Sequence, residues 1–216
     1  KIEWLIKNNN FKLIEDFLLK NKNIDKNSKL VKFLVNEYLS ESKVEKACSI
    51  FSNINEVIND NYLSKFKIYC LISQRKNEEA QLLFDLQKEL NFEDVFFEKK
   101  FNYLMGYEDK IDLTISEKTI LDFHLSHRVN PDFKFVPTKN TKKSIWRYLS
   151  TSNLLDDIED IDLEDLNKIT LIEKATHEKN YNEKELFELY KRFQFNIDQL
   201  LTVKEAYKLL SNVEAR

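Results

Sequence analysis

The sequence predicts an all-α protein, built as an α-solenoid of antiparallel helix pairs, and three observations support this fold class. The chain of 216 residues contains one Gly and two Pro, whereas sandwiches, barrels and nucleotide-binding sheets need Gly for positive φ in their turns. Apolar residues make up 42% of the chain and charged residues 33%, which is typical of a folded protein rather than a disordered one. The third observation is an internal repeat of 33 residues.

The repeat is clearest at three positions, two of which carry large side chains, while the third carries Ala in two of its three copies. The aligned positions, separated by 33 residues, are Leu5, Tyr38 and Leu71, then Ile14, Ala47 and Ala80, then Leu18, Phe51 and Phe84. Tyr38 lies on the apolar face of a first predicted helix, and Ala47 and Phe51 lie on that of a second. The polar residues 40–43 predict the turn between them. A small residue at position 47 lets the paired helices approach closely, and Phe51 can reach the next pair.

This pattern resembles the tetratricopeptide repeat, in which a Tyr-like position, a small residue and an aromatic residue recur about every 34 residues. The resemblance covers roughly residues 1–106. It departs from the family at the turn, where the family usually has Gly and this chain has Ser42 and Arg75. The Pro that closes each repeat of the family is also missing. The resemblance implies a right-handed stack of helix pairs whose concave face binds an extended peptide or an amphipathic helix.

After Gly106 the register of the repeat blurs, and the sequence predicts an irregular second half, 107–216, made of further helix pairs. We expect helices at about 92–105, 115–128, 142–152, 163–178, 182–193 and 197–210. Pro131 and Pro137 predict an extended interruption near 129–141, because proline breaks a helix. The expected organisation is one continuous solenoid, cut from a longer protein.

Cys48 and Cys70 are too few for a disulfide framework. Each lies in an apolar helical pattern, which favours two small buried hydrophobic residues. A disulfide between neighbouring helices is the alternative if the protein is exported. The sequence contains no run of 18 apolar residues, so no membrane span is expected. The compartment stays open between cytoplasm and periplasm.

Two patterns could hold a metal ion, and both are incomplete. His124 and His127 lie three residues apart near Asp122, but zinc needs a third and usually a fourth ligand. The acidic run 156–165 has no Gly for the sharp turn of a calcium loop, and it predicts a solvated loop leading into a helix N-terminus. No metal or cofactor is therefore predicted. Since no nucleophile motif is recognisable either, we expect no enzyme activity.

Between Arg128 and Arg147 the charge balance reverses, with six cations, one acid and interleaved aromatic residues. Such a stretch can bind RNA through phosphate contacts and ring stacking. The formal net charge of −3 makes a dedicated nucleic-acid binder an unfavoured interpretation. Pairing with the acidic run 156–165 and docking of a protein partner are the alternatives.

The resulting expectation is a non-catalytic helical-repeat scaffold that binds a protein or peptide partner on its concave face. The candidate binding residues on the first helices of the pairs, expected to point to solvent, are Asn36, Glu37, Lys67 and Tyr69. The candidates from the basic stretch are Arg128, Lys142, Lys143, Trp146 and Arg147. The alternative is a helical accessory domain of a larger enzyme, since superhelical domains of periplasmic lytic transglycosylases look broadly similar.

Overall fold

The computed structural model describes residues 2–8, 10–21, 23–52 and 58–193. Regular structure within these residues consists of eleven α-helices and two short 3-10 helices, without a β-strand, which confirms the all-α prediction. The α-helices are α1 Ile2–Lys7, α2 Phe11–Lys20, α3 Ser28–Ser40, α4 Val44–Ser49, α5 Asn61–Ser73, α6 Asn77–Glu89, α7 Val95–Met105, α8 Ile120–Val129, α9 Lys143–Thr151, α10 Leu166–His177 and α11 Glu183–Lys191. No described helix is both long and apolar enough to cross a membrane.

The 33-residue period corresponds to three helix–turn–helix pairs, α1–α2, α3–α4 and α5–α6. Their second helices begin at Phe11, Val44 and Asn77, each 33 residues after the previous one. The small residues Ala47 and Ala80 are both fully buried, as close contact between paired helices requires. The predicted helix pairs are therefore present in the predicted register, while their stacking into a solenoid stays a prediction.

The chain forms two compact units, Lys1–Leu155 and Asp156–Arg216. In the first unit, α3 is the central helix, and it contacts α1, α2, α4, α5, α8 and α9. Its buried apolar residues are Leu30, Val31, Leu34, Val35, Tyr38 and Leu39. A helix with apolar residues on several sides is one that is enclosed by other helices. The part of α3 expected to face a partner is thus partly covered by α8 and α9.

Six of the helices end in the same way, with a residue of positive φ just after the helix. These residues are Ser42, Arg75, Asn91, Gly106, Asn153 and Lys179. The next N–H then bonds back across the turn, as in the 2.9 Å bond from Lys76 N to Leu71 O, which is the pattern of the Schellman motif. Ser42 and Arg75, where the tetratricopeptide family usually has Gly, have φ of 57° and 62°. These two turns keep the backbone conformation that Gly favours, without the Gly.

The predicted helix 115–128 begins later in the structure, at Ile120. The Thr119 side chain accepts a hydrogen bond from Asp122 N and caps this helix, because a threonine hydroxyl can satisfy one of the free N–H groups of the first turn. The residues before it form a loop without helix or strand. This loop is held by buried Lys100, which donates to the backbone carbonyls of Asp112 and Thr114.

The second unit contains the 3-10 helix Ile158–Asp160, followed by α10 and α11. The acidic run 156–165 ends at Asp165, whose side chain accepts a hydrogen bond from Lys168 N and caps α10. This confirms the prediction of an acidic loop leading into a helix N-terminus, where carboxylates are favoured by the helix dipole. The predicted helix 197–210 lies outside the described residues.

Candidate functional site

A chain of four hydrogen-bonded side chains links α5, α8 and α9 in the first unit. The Tyr148 hydroxyl lies 2.8 Å from His124 Nδ1 and 2.7 Å from His127 Nδ1. The other nitrogen of His124, Nε2, lies 2.7 Å from the Tyr69 hydroxyl. Three hydrogen bonds in series thus run from Tyr69 through His124 and Tyr148 to His127.

The protons of this chain are coupled by simple counting. A tyrosine hydroxyl carries one proton, and a neutral imidazole carries one N–H. Tyr148 can therefore donate to at most one of the two imidazoles, so at least one of them carries its proton on Nδ1. Which tautomer His124 adopts then decides whether it donates to Tyr69 or accepts from it. The protonation states of the two imidazoles are consequently linked through a single hydroxyl group.

Burial sets the charge state of the chain. Desolvation is the largest cause and the charge of Arg128 the next, and they lower the pKa of His124 to about 3. This imidazole is therefore neutral at pH 7. The same two causes, in the same order, lower the pKa of half-buried His127. Burial raises the pKa of both Tyr69 and Tyr148. The four groups therefore form a neutral hydrogen-bonded network with one cationic side chain, Arg128, beside it.

The occupied nitrogens count against a metal site at this position. Both nitrogens of His124 face tyrosine hydroxyls, and His127 turns Nδ1 toward the hydroxyl that His124 also uses. Among the described residues, no three His, Cys, Asp or Glu side chains come together in a group that could hold a metal ion. The i, i+3 spacing of the two histidines serves instead to place both rings against Tyr148.

A buried ion triad lies between α5 and α8, in the same unit as the histidine chain. Lys65 Nζ lies 2.8 Å from a carboxylate oxygen of Asp94 and 3.3 Å from one of Asp122. Lys65 and Asp122 are 7% and 2% exposed. A buried charge persists only when it is paired, so removing one member is expected to be costly. The triad fastens α8 against α5.

A second set of polar contacts fastens α9 to α3. Arg147 pairs with Glu37 at 2.5 Å, and both side chains are partly buried. The Thr151 hydroxyl donates to the carbonyl of Ser40 at 3.1 Å. Ser42, in the turn after α3, lies within 2.6 Å of the Ser152 hydroxyl. These contacts join residues that are about 110 positions apart in the sequence.

The four candidate binding residues on α3 and α5 are engaged within the chain. Tyr69 and Lys67 are only 4% and 8% exposed, so the prediction that they point to solvent is wrong. Asn36 accepts a 2.5 Å hydrogen bond from a tyrosine hydroxyl of α5, and Glu37 pairs with Arg147. The physical reason is that α8 and α9 pack on α3 and that α8 hydrogen-bonds to α5 through His124 and Tyr69, which the repeat pattern alone does not reveal.

The five candidates of the basic stretch divide into two groups. Arg128, Lys142 and Lys143 are exposed, although the ammonium group of Lys142 also donates to two backbone carbonyls before α8 at 2.7 Å. Trp146 is buried, and Arg147 pairs with an acid of α3. The basic stretch therefore contributes both to the internal contacts of the first unit and to its surface.

Cys48 and Cys70 form a disulfide that joins α4 to α5, with Cα atoms 5.4 Å apart. The favoured interpretation of two unbridged hydrophobic residues is therefore wrong, and the alternative of a bridge between neighbouring helices is correct. Both cysteines are 3% exposed, so their burial was predicted correctly. Two cysteines on neighbouring pairs of a helical repeat can meet, but the sequence alone does not show that these two do.

Sequence reasoning identified the histidines but missed their partners. The repeat pattern predicts that Tyr69 points to solvent, and the sequence marks Tyr148 only as one of the aromatic residues interleaved in the basic stretch. Tyr148 follows an extended segment, so its distance from α8 could not be inferred from helical spacing. A usable signal was the amphipathic pattern of 145–149, which predicts a buried face containing Ile145, Tyr148 and Leu149, all three of which are at most 1% exposed.

Comparison with known proteins gives no relative for this fold or site. No family model matches the chain, and neither a curated protein nor a solved structure shows significant similarity to it.

Proposed function

We propose that this chain is a non-catalytic helical-repeat scaffold, similar to the tetratricopeptide repeat, that binds a protein or peptide partner. The observation that carries the proposal is the set of three helix pairs whose second helices start at equal intervals of 33 residues. Repeated helix pairs each bury one face against their neighbours and present the other side chains on an extended surface. Such surfaces are used for recognition of other chains.

The internal contacts of α3 and α5 make the face formed by these helices less suitable for binding a partner. Asn36 and Glu37 already bond to other helices of the same unit, so a partner would have to displace those contacts. Arg128, Lys142 and Lys143 are exposed, so their charges are presented at the surface of the first unit. We therefore assign partner binding to the basic surface around these three residues, in place of the face formed by α3 and α5.

Affinity capture from extracts of the native cells tests this proposal. The wild-type chain should retain a reproducible protein partner, identified by mass spectrometry. The double variant Arg128→Glu/Lys143→Glu should lose most of that partner, because a charge reversal at an interface places like charges together. The matched control is Lys12→Glu/Lys29→Glu, which reverses two exposed lysines elsewhere in the first unit. This control should retain the partner in full.

The melting temperature of Lys12→Glu/Lys29→Glu should lie close to that of the wild type, since exposed substitutions have small effects on stability, and that of Arg128→Glu/Lys143→Glu is measured alongside it because Arg128 also hydrogen-bonds Tyr69. Equal loss of the partner in both variants would show that binding depends on overall charge and not on this surface. Failure of the wild-type chain to retain any protein would contradict the scaffold function.

The disulfide favours a second candidate, a helical accessory domain of a larger enzyme in an oxidising compartment such as the periplasm. Disulfides form and persist in oxidising compartments and are rare in the cytosol. Cys48 and Cys70 are joined although the structure carries only these two cysteines. The mass of the natural gene product tests this candidate, because an attached catalytic domain would make it much larger than 25.9 kDa. A catalytic activity that requires this segment would support it.

A further inference from the structure

Residues 133–138 lie between α8 and α9 in neither a helix nor a turn, and we call this segment the strap. Its side chains alternate between the interior and the solvent: Phe133 is buried and Phe135 half-buried, while Lys134 and Val136 are exposed. Alternation with a period of two is the pattern of a β-strand. The strap is held by its aromatic residues, whose rings lie 5.5 and 5.0 Å from that of Phe123.

The backbone of the strap lacks the partners that a strand normally has. The N–H and C=O groups of residues 133–136 make no hydrogen bond to any other described residue. Pairing resumes only at Thr138, whose N–H donates to the Thr141 hydroxyl at 2.9 Å. Unpaired N–H and C=O groups in an extended chain are a template for the addition of another strand. The strap is thus an extended backbone without a neighbouring strand, fixed in place by two anchors.

The charged side chains around the strap indicate which net charge an added strand would carry. Lys134 and Lys139 are exposed, and neither forms an ion pair with a carboxylate in the described part of the chain. Arg128 is exposed at the end of α8, and its neighbour His127 has its ring centroid 5.2 Å from that of Phe133. Asp132 is the one acid between Arg128 and Arg147. The segment therefore combines a free backbone with a surplus of positive charge.

We propose that the strap binds an extended acidic peptide segment, which adds to it as a β-strand. This inference deepens the proposed function and rests on it, since it names the partner's conformation and charge. Main-chain hydrogen bonds to residues 133–136 provide affinity in this mode of recognition. Carboxylates of the peptide would lie opposite Lys134, and a β-branched side chain would pack against exposed Val136, which is 72% exposed.

The test uses the full chain and a fluorescein-labelled octapeptide of alternating Glu and Thr, with binding measured by fluorescence polarisation. We expect saturable binding to the wild type. Lys134→Glu should weaken it by about tenfold, which corresponds to about 1.4 kcal/mol. Val136→Pro should weaken it by about fivefold, because proline removes one backbone N–H from an already extended position.

Two controls separate the backbone contribution from the other effects. Val136→Thr keeps the N–H and the β-branched shape, so it should bind the peptide as well as the wild type does. A peptide of alternating Lys and Thr should not bind. Equal affinity of Val136→Pro and Val136→Thr would overturn strand addition, and equal binding of both peptides would overturn recognition of an acidic partner. Preference for an oligouridylate over the acidic peptide would also overturn the proposal, in favour of a nucleic-acid surface.

Affinity capture with the double variant Lys134→Glu/Val136→Pro distinguishes this inference from the proposed function. Loss of the native partner would support both. Retention of that partner at wild-type yield would overturn the strap as the binding segment and leave the scaffold function in place. Absence of any partner from the wild-type sample would overturn the scaffold function itself.

Discussion

A residue just after a helix must often adopt positive φ, and this chain fills most such positions without glycine. Gly106 is the single glycine and occupies one of them. Ser42 and Arg75 adopt the same conformation, although left-handed backbone costs an ordinary L-residue about 1–2 kcal/mol. Packing beyond these turns, such as the burial of Ala47 and Ala80, therefore offsets this cost and stabilises the helix pairs.

Arg75→Gly should raise the free energy of unfolding by about 0.5–1 kcal/mol. Gly adopts the positive φ of this position without strain. Its larger conformational freedom in the unfolded state offsets only part of that gain. Arg75 is exposed, so little packing is lost. Urea denaturation provides the measurement. Arg75→Ala retains a Cβ atom and should not be stabilised. Equal stability of the Gly and Ala variants would show that the turn carries no strain.

The buried histidine makes stability depend on pH. The pKa of His124 in the folded protein is about 3, below the value of about 6.5 expected in the unfolded chain. Between these values the unfolded state binds more protons than the folded state, so stability falls as the pH falls across this window. The contribution of one such group has a slope of at most about 1.4 kcal/mol per pH unit.

The variant His124→Gln cannot take up this proton when it unfolds. We expect it to be less stable than the wild type at pH 7, because it loses hydrogen bonds to the two tyrosines, and we expect this difference to shrink between pH 6.5 and pH 4. Unfolding by urea at several pH values measures the difference. Leu82, which is 64% exposed, offers the control Leu82→Gln, which changes no titratable group, so its difference from the wild type should stay nearly constant. A constant difference for His124→Gln would place this imidazole outside the buried chain.

At the scale of the elements, the disulfide joins neighbouring repeats. Cys48 in α4 and Cys70 in α5 are separated by 22 residues. A covalent link of that length stabilises the fold chiefly by restricting the unfolded chain, by about 3 kcal/mol. The link lies between the second helix of one pair and the first helix of the next. It therefore strengthens a contact between pairs rather than one within a pair.

Reduction should lower the free energy of unfolding by about 3 kcal/mol. Urea unfolding with and without a reducing agent measures this change, and the double variant Cys48→Ser/Cys70→Ser should be insensitive to the reagent. Two free thiols in the unfolded, unreduced protein, detected as a mass increase after alkylation, would contradict the disulfide.

The elements that repeat could be predicted from the sequence, and those that do not repeat could be predicted only in part. Phe11, Val44 and Asn77 begin the second helices in register, because each pair satisfies the same packing requirement at the same spacing. The start of α8 was predicted too early, because Thr119 caps the helix and apolar periodicity does not report which polar residue does so. Helix existence follows from periodicity, whereas a boundary depends on one hydrogen bond.

The covering of α3 by α8 and α9 could not be predicted, for a different physical reason. Helical periodicity reports which residues are buried but not which distant element buries them. Tyr69 illustrates this, because its partner His124 lies 55 residues away. The same limit applies to the candidate site. Its exposed cations are recognisable from the composition of the basic stretch, but the sequence does not distinguish them from the residues that contact other helices. The position of α9 depends in addition on the course of the strap, which local sequence patterns do not specify.

In the first unit as a whole, α9 lies against α3, so the first helices of the repeats do not form an open binding face. The pair Glu37 and Arg147 spans this contact. Since both side chains are partly buried, the pair should be worth more than an exposed ion pair, which contributes about 0.2–1 kcal/mol.

The most direct test is a charge-swap cycle on this pair. The free energies of unfolding are measured for the wild type, Glu37→Arg, Arg147→Glu and the double variant. We predict that each single variant is destabilised and that the double variant recovers part of the loss, with a coupling energy of about 0.5–3 kcal/mol. Simple additivity of the two single effects would contradict the contact between α3 and α9, and it would return the open face of α3 as the site at which a partner binds.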